Sequence, residues 1–141
     1  MAEKTIDIAS PILSRNERLA DQLRQRFKET NTYVINVLSS PGSGKTTTIL
    51  GTNERLRDKA GLRCAVIEGD IASDVDAITM KEAGMPAIQI NTGGLCHLEG
   101  NMIMEAVDAF DQAVGLKNID VIFIENVGNL VCPVDFDLGE N

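Results

Sequence analysis

The sequence predicts an α/β fold in which a mainly parallel β-sheet lies between two layers of helices. Short apolar runs alternate along the chain with segments of helical periodicity, and this alternation is typical of βαβ units. The run DVIFIE at 120–125 has an unbroken apolar centre, as in a parallel strand that is covered on both faces. We therefore expect a three-layer α/β/α architecture.

An amphipathic helix is predicted ahead of the first strand. Leu19, Leu23 and Phe27 recur at four-residue spacing, which places them on one helical face. Ser14 and Glu17 have the spacing of a capping box, which predicts that the helix begins at Ser14. The apolar face is expected to pack against the rest of the domain.

Strands and helices alternate through the rest of the chain. The predicted strands lie at 33–38, 63–68, 87–90 and 120–125. The predicted helices lie at 45–59, 74–84 and 97–114. The last helix carries two adjacent apolar stripes, so we expect it to be largely buried.

The domain organisation follows from these elements. We expect residues 1–30 to form an amino-terminal amphipathic helix region and residues 31–141 to form one α/β domain. Because only sixteen residues follow Glu125 and they carry no helical pattern, we expect the carboxyl-terminal part of the domain to be missing.

Composition argues against several classes of function. The chain has 13 basic and 21 acidic residues and a net charge of −8, which argues against a nucleic-acid or anionic-membrane surface. Its start lacks a basic-then-apolar leader, and no window approaches the roughly 18 apolar residues of a membrane span. We expect a cytoplasmic protein with no nucleic-acid or membrane partner.

A phosphate-binding loop is predicted directly after the first strand. SSPGSGKT at 39–46 matches G-x-x-x-x-G-K-[ST] except for the first glycine, and it opens a helix as this loop requires. Gly42 and Gly44 allow backbone N–H groups to face phosphate, Lys45 reaches the β- and γ-phosphates, and the Thr46 hydroxyl can bind Mg²⁺. The alternative is a glycine-rich turn followed by an unrelated Lys-Thr pair.

Carboxylates that could hold Mg²⁺ follow two other strands. Asp70 and Asp74 come just after the second predicted strand, and Glu125 ends the last one. Mg²⁺ prefers such oxygen ligands, directly or through water. In the alternative interpretation, Asp70 and Asp74 cap the following helix.

The three cysteines are either core thiols or metal ligands, since an odd number in a reducing compartment argues against a disulfide framework. Cys64 lies inside a strand pattern and is predicted to be a buried thiol that binds no metal. Cys96 and His97 are adjacent soft ligands at the start of the last predicted helix, and Cys132 follows the last strand on the same side of the sheet. Together they predict a site for Zn²⁺ or Ni²⁺ with one open position. Alternatively, Cys96 packs and His97 caps its helix.

The motifs SSPGSGKT, EGDIASDVDA, NTGGLCHLEG and IENVGNLVCP, in this order, resemble the hydrogenase nickel-incorporation GTPases of the HypB type. The resemblance spans roughly residues 12–138. It implies a P-loop NTPase fold and a dimerising GTPase that delivers nickel during maturation of nickel–iron hydrogenase. It also implies a nickel-binding maturation partner and the hydrogenase large subunit as partners.

The resemblance assigns roles to particular positions. Lys45 and, as water-positioning acid, Asp74 would be catalytic. The GTP and Mg²⁺ residues would be Gly42, Ser43, Gly44, Lys45, Thr46, Thr47, Asp70 and Glu125, with Asn126 and Gly128 completing the signature of the last strand. The ligands for Ni²⁺ or Zn²⁺ would be Cys96, His97 and Cys132.

The chain departs from the family pattern in two respects. No Cys-rich or His-rich tail precedes the domain, and none of the 141 residues forms an Asn-Lys-x-Asp guanine-reading motif. GTP as the nucleotide therefore rests on the resemblance. Three alternatives are a urease-type nickel GTPase, whose Cys-Pro-His triplet is absent here, a small-molecule P-loop kinase, and a truncated nickel- or zinc-binding fragment without hydrolysis.

Overall fold

The computed structural model describes residues 9–40, 42, 44–69 and 73–141. Four parallel strands form one sheet in the order β1-β4-β2-β3. They are β1 (Tyr33–Val37), β2 (Cys64–Glu68), β3 (Ala87–Gln89) and β4 (Val121–Glu125). The four predicted strands are thus confirmed, each shorter than its pattern by one residue.

Four α-helices connect and cover the strands. They are α1 (Ala9–Thr30), α2 (Lys45–Ala60), α3 (Ser73–Glu82) and α4 (Gly100–Ala113). Short 3₁₀ turns lie at Leu116–Asn118 and Cys132–Asp135. Within the described part of the chain, no helix is long and apolar enough to cross a membrane.

The predicted start of the first helix is wrong. Helix α1 already includes Ala9, so Ser14 lies inside it and does not begin it. Pro11 also lies within α1, ahead of Ser14. The chain can therefore be helical ahead of Ser14.

The predicted extent of the last helix is also wrong. Helix α4 begins at Gly100 with Glu99 as its N-cap, so Cys96 and His97 lie in the loop before it and His97 does not cap it. Only one face of α4 is buried, formed by Gly100, Ile103, Ala106, Val107 and Phe110. The predicted stripe that includes Ala106, Ala109 and Ala113 is only partly buried, since Ala109 and Ala113 are exposed.

Apolar residues pack on both faces of the sheet. On one face, Leu23 and Phe27 of α1 join α4 and the core side chains of β4, Ile122 and Ile124. On the other, Ile49 of α2 packs with alternate residues of β2 and β4. The period-2 alternation of side chains sends each strand's apolar residues to both layers, which explains why β2 and β4 are apolar up to their final glutamates.

Candidate nucleotide and metal sites

The glycine-rich loop lies between β1 and α2, as the sequence predicts. Gly42 and Gly44 have φ of 70° and 94°, a region that strongly favours glycine. Gly44 is the N-cap of α2, so free amide groups and the positive end of the helix face the loop. Lys45 is only 6% exposed although it begins the helix, so its side chain is largely buried.

Glu125 lies opposite this loop at the end of β4. Its Oε1 accepts a hydrogen bond of 3.1 Å from the Thr46 hydroxyl, and the residue is 2% exposed. Its other oxygen, Oε2, is buried and has no hydrogen-bond partner among the described residues. Leaving a buried carboxylate oxygen unsatisfied is costly, and a cation would satisfy it. Thr46 and Glu125 thus fit the oxygen ligands that Mg²⁺ takes.

A second buried carboxylate was missed by the sequence analysis. Glu68 ends β2, is 2% exposed, and pairs in register with Glu125 on β4. The signal was available, because Glu68 closes an apolar strand in the same way as Glu125. Two adjacent carboxylates and Lys45 therefore lie near the carboxyl edge of the sheet.

The other expected nucleotide residues fall into three groups. Ser43 and Asp70 lie outside the described residues, as does the side chain of Asp74, whose backbone is in α3. Thr47 is exposed in the first turn of α2. Asn126 is fully buried, and its amide nitrogen donates to Oδ1 of Asn36 at 3.1 Å, which ties the end of β4 to β1.

Cys96 and His97 form a close pair in the loop after β3. Sγ of Cys96 lies 3.8 Å from Nδ1 of His97. Nε2 of His97 lies 3.1 Å from Oε1 of Glu99, and the ring stacks on Phe136 with 3.9 Å between centroids. Burial lowers the pKa of His97, but the hydrogen bonds to Cys96 and Glu99 outweigh it, so that the pKa lies above its usual value.

Cys132 reaches Cys96 from the loop after β4. Cys132 lies near Cys96, and the interaction between the two thiols lowers the pKa of Cys96 and raises that of Cys132. Cys96 is therefore the readier thiolate of the two. Across the described ranges, no three His, Cys, Asp or Glu side chains are grouped closely enough to hold a metal ion. Cys96 thus contacts both other expected ligands, but the three do not converge on one point.

Cys64 lies apart from this pair. It begins β2, at the amino-terminal ends of the strands, whereas Cys96 and Cys132 follow the carboxyl-terminal ends. The residue is buried in the core, with 5% of its surface exposed. Burial raises the pKa of the Cys64 thiol to about 11, with a smaller contribution from Asp120. Its predicted burial is confirmed, and its lack of a metal role stays a prediction.

Residues 33–137 match the family model described as the nucleotide-binding domain of CobW/HypB/UreG. The chain belongs to this family. This HypB-related chain is 46% identical over 137 residues to the hydrogenase maturation factor HypB of Escherichia coli K12, covering 97% of the chain and 45% of the relative. It spans about half the length of the curated relatives that it matches.

Solved HypB structures share the fold. The structure of HypB from Helicobacter pylori in complex with nickel superposes with a TM-score of 0.80 at 40% identity, covering 89% of this chain and 57% of that one. HypB from Archaeoglobus fulgidus gives a TM-score of 0.79 at 39% identity, covering 91% and 59%. The predicted resemblance and the predicted α/β P-loop fold are thereby confirmed.

Proposed function

We propose that this HypB-related chain is the nucleotide- and metal-binding part of a GTP-hydrolysing metallochaperone that inserts nickel during nickel–iron hydrogenase maturation. The observation that carries the proposal is the buried Glu125 carboxylate, which accepts from Thr46 and keeps one oxygen without a partner among the described residues. It lies at the same edge of the sheet as the loops that carry Cys96 and Cys132.

The nucleotide is held by the loop and the start of α2. Backbone N–H groups of Gly42, Ser43 and Gly44 would face the phosphates, and Lys45 would neutralise their charge. Thr46, Glu125 and Asp70 would hold Mg²⁺, and Thr47 would bind the phosphates. When bound, Mg²⁺ would supply positive charge to the phosphate oxygens. Asp74 would position the water that attacks the γ-phosphorus. The bond from this phosphorus to the bridging oxygen would break, GDP and phosphate would leave, and the water's proton would pass to this carboxylate or to bulk water.

The metal site is built from Cys96, His97 and Cys132. Thiolate and imidazole suit both Ni²⁺ and Zn²⁺, and a nickel ion here is cargo that must later leave. A separation of 3.8 Å between Cys96 Sγ and His97 Nδ1 supports a shared ion. The interaction between the two thiols supports a position for Cys132 from which it could join the site with a small movement.

The nucleotide and metal sites are connected along the backbone after Glu125 and through the packing of Leu98 against Gly69. The loop with Cys132 continues directly from Glu125, and Leu98, next to His97, packs against Gly69 ahead of Asp70. The Gly69 N–H also donates to the Glu125 carbonyl at 2.8 Å. A shift of the Asp70 segment on nucleotide binding would therefore move Leu98 and with it the metal ligands.

A homodimer that covers the metal site is part of the proposal. Leu130, Val131 and Val134 are exposed around Cys132, with Val131 at 76%. Apolar side chains clustered beside a site mark a surface that another protein covers. A second copy, a nickel-binding maturation partner and the hydrogenase large subunit would use this face in turn.

Calorimetric titration of the chain with GTP, ATP, Ni²⁺ and Zn²⁺ tests the proposal. We expect Mg²⁺–GTP to bind and its turnover to be lost in Lys45→Ala, since the variant lacks the ammonium that neutralises the phosphate charge. Lys117→Ala, which removes an exposed lysine, is the matched control. Unchanged turnover in Lys45→Ala would refute the nucleotide site. Metal binding without any nucleotide binding would favour the alternative, a nickel- or zinc-binding fragment.

A further inference from the structure

The His97 ring is held on three sides by contacts. Nε2 is 3.1 Å from Oε1 of Glu99, and Nδ1 is 3.8 Å from Sγ of Cys96. One face stacks on Phe136, with 3.9 Å between centroids and 9° between the planes. The side chain is 14% exposed, so protein contacts set its orientation.

These contacts select one tautomer of the neutral ring. A carboxylate only accepts hydrogen bonds, so Nε2 must carry the hydrogen that Glu99 receives. Cys96 competes for a proton on Nδ1, but a 3.8 Å contact to sulfur is weaker than a 3.1 Å charge-assisted bond to a carboxylate. The Nδ1 lone pair is therefore left facing the Cys96 sulfur.

We propose that Glu99 and Phe136 are positioning residues that make Nδ1 of His97 the metal-binding atom. The inference rests on the proposed function only in that Cys96 and His97 bind a transition metal. An ion at about 2.3 Å from a thiolate and about 2.0–2.1 Å from a ring nitrogen joins atoms roughly 3.5–4 Å apart. The observed 3.8 Å fits this span without rotation of the ring.

Glu99 is itself held in place from a distant part of the chain. It is the N-cap of α4, and the next amide, that of Gly100, donates to Oδ1 of Asn16 at 2.6 Å. This bond fixes the start of α4 against α1. The carboxylate therefore projects toward His97 from a rigid backbone.

Phe136 connects the ring to the third ligand. It follows the 3₁₀ turn Cys132–Asp135, and its amide donates to the Pro133 carbonyl at 3.3 Å. The segment that places Cys132 beside Cys96 thus also places the aromatic face beneath His97. Movement of this segment changes both contacts together.

Nuclear magnetic resonance of the metal-free chain tests the tautomer directly. His97 is the only histidine, so its ring nitrogens give one unambiguous pattern of long-range ¹H–¹⁵N correlations. Well above the imidazolium transition, we expect the Nε2–H pattern in the wild type. We expect mixed tautomers in Glu99→Ala and recovery in Glu99→Gln, whose amide oxygen also accepts.

Metal affinity gives the second measurement. By competition with a chelator, Ni²⁺ and Zn²⁺ should bind Glu99→Ala about 10–100-fold more weakly than the wild type, the usual effect of losing such a carboxylate. Phe136→Leu should weaken binding while keeping the Nε2–H tautomer. Glu105→Ala, an exposed glutamate on the same helix, is the control and should match the wild type.

Failure of this inference can be told apart from failure of the proposed metal site. An Nδ1–H tautomer in the wild type, or bound metal that shifts Nε2 and leaves Nδ1 protonated, overturns this inference and leaves the metal site standing. A wild-type chain that binds neither Ni²⁺ nor Zn²⁺ overturns both.

Discussion

Gly69 is the residue at which a single methyl group tests the packing between the two sites. A Cβ added to Gly69 would lie 2.5, 2.7 and 2.8 Å from Cδ1, Cδ2 and Cγ of Leu98. Ordinary carbon contacts are about 3.5–4.0 Å. Leu98 is fully buried and cannot swing into solvent. The side chain or the backbone must therefore shift.

The expected cost follows from two opposing effects. Overpacking a core costs typically about 1–3 kcal/mol. Replacing glycine by alanine at a compatible φ returns about 0.4–1 kcal/mol by restricting the unfolded chain. We expect Gly69→Ala to lower the free energy of unfolding by about 1–2 kcal/mol.

Urea unfolding followed by far-ultraviolet circular dichroism measures this change. Gly51→Ala is the matched control, because Gly51 is an exposed position in α2 with nothing within 4 Å of the added Cβ. The control should be stabilised by roughly 0.5–1 kcal/mol through helix propensity. The double variant Gly69→Ala/Leu98→Ala should lose less stability than the sum of the single variants, since Leu98→Ala opens the space that the methyl group needs. Wild-type stability in Gly69→Ala, or strict additivity, would refute the reasoning.

Three further predictions concern single residues. Glu125→Gln should weaken binding of Mg²⁺–GTP. It should leave the stability of the metal-free chain equal or higher, because it removes a buried charge with an unsatisfied oxygen. A loss of stability together with unchanged nucleotide affinity in calorimetry would contradict this prediction. For Asp120, the hydrogen bond from the Arg63 backbone N–H and then the Arg63 side chain lower its pKa below the ordinary 3.8. Because the pKa of Asp120 is lowered in the folded protein, its ionised carboxylate stabilises the fold above pH 3.8. Urea unfolding should therefore find Asp120→Asn less stable than the wild type at pH 7, and this difference should vanish as the pH falls through the folded pKa. A difference in stability that persists in strong acid would count against the pairing of Asp120 with Arg63. Cys64→Ser should lower the free energy of unfolding by about 1–3 kcal/mol, because it buries a hydroxyl group. Metal analysis should find the nickel stoichiometry unchanged. Loss of one equivalent of bound nickel would instead make Cys64 a ligand.

The strands and the phosphate loop were predictable because their signals are local. A run such as CAVIE needs only its own apolar residues to specify a buried strand, and Gly44-Lys45-Thr46 follows β1 directly. The carboxylate of Glu125 was predictable from its place at a strand end. Glu68 occupies the same place on β2. It was missed because the magnesium role after this strand was assigned to Asp70 instead.

The start of α4 could not be predicted from its neighbours. Its first amide is satisfied by Asn16, 84 residues away in sequence, and Gly100 packs against Leu19 of α1. No periodicity near Cys96 carries that information, so the helix was predicted three residues too early. The contacts of His97 with Glu99 and Phe136 depend on the same tertiary packing, which is why the orientation of the ring emerges only from the structure.

Nickel binding in the presence and absence of Mg²⁺–GTP tests the central claim most directly. Calorimetry would compare the wild type with Cys96→Ala, His97→Ala and Cys132→Ala. We predict that each variant binds nickel more weakly, and that nucleotide changes the wild-type affinity by about 5-fold or more, the lower end of typical coupling between sites. Wild-type nickel affinity in all three variants would contradict the claim that these residues form the site.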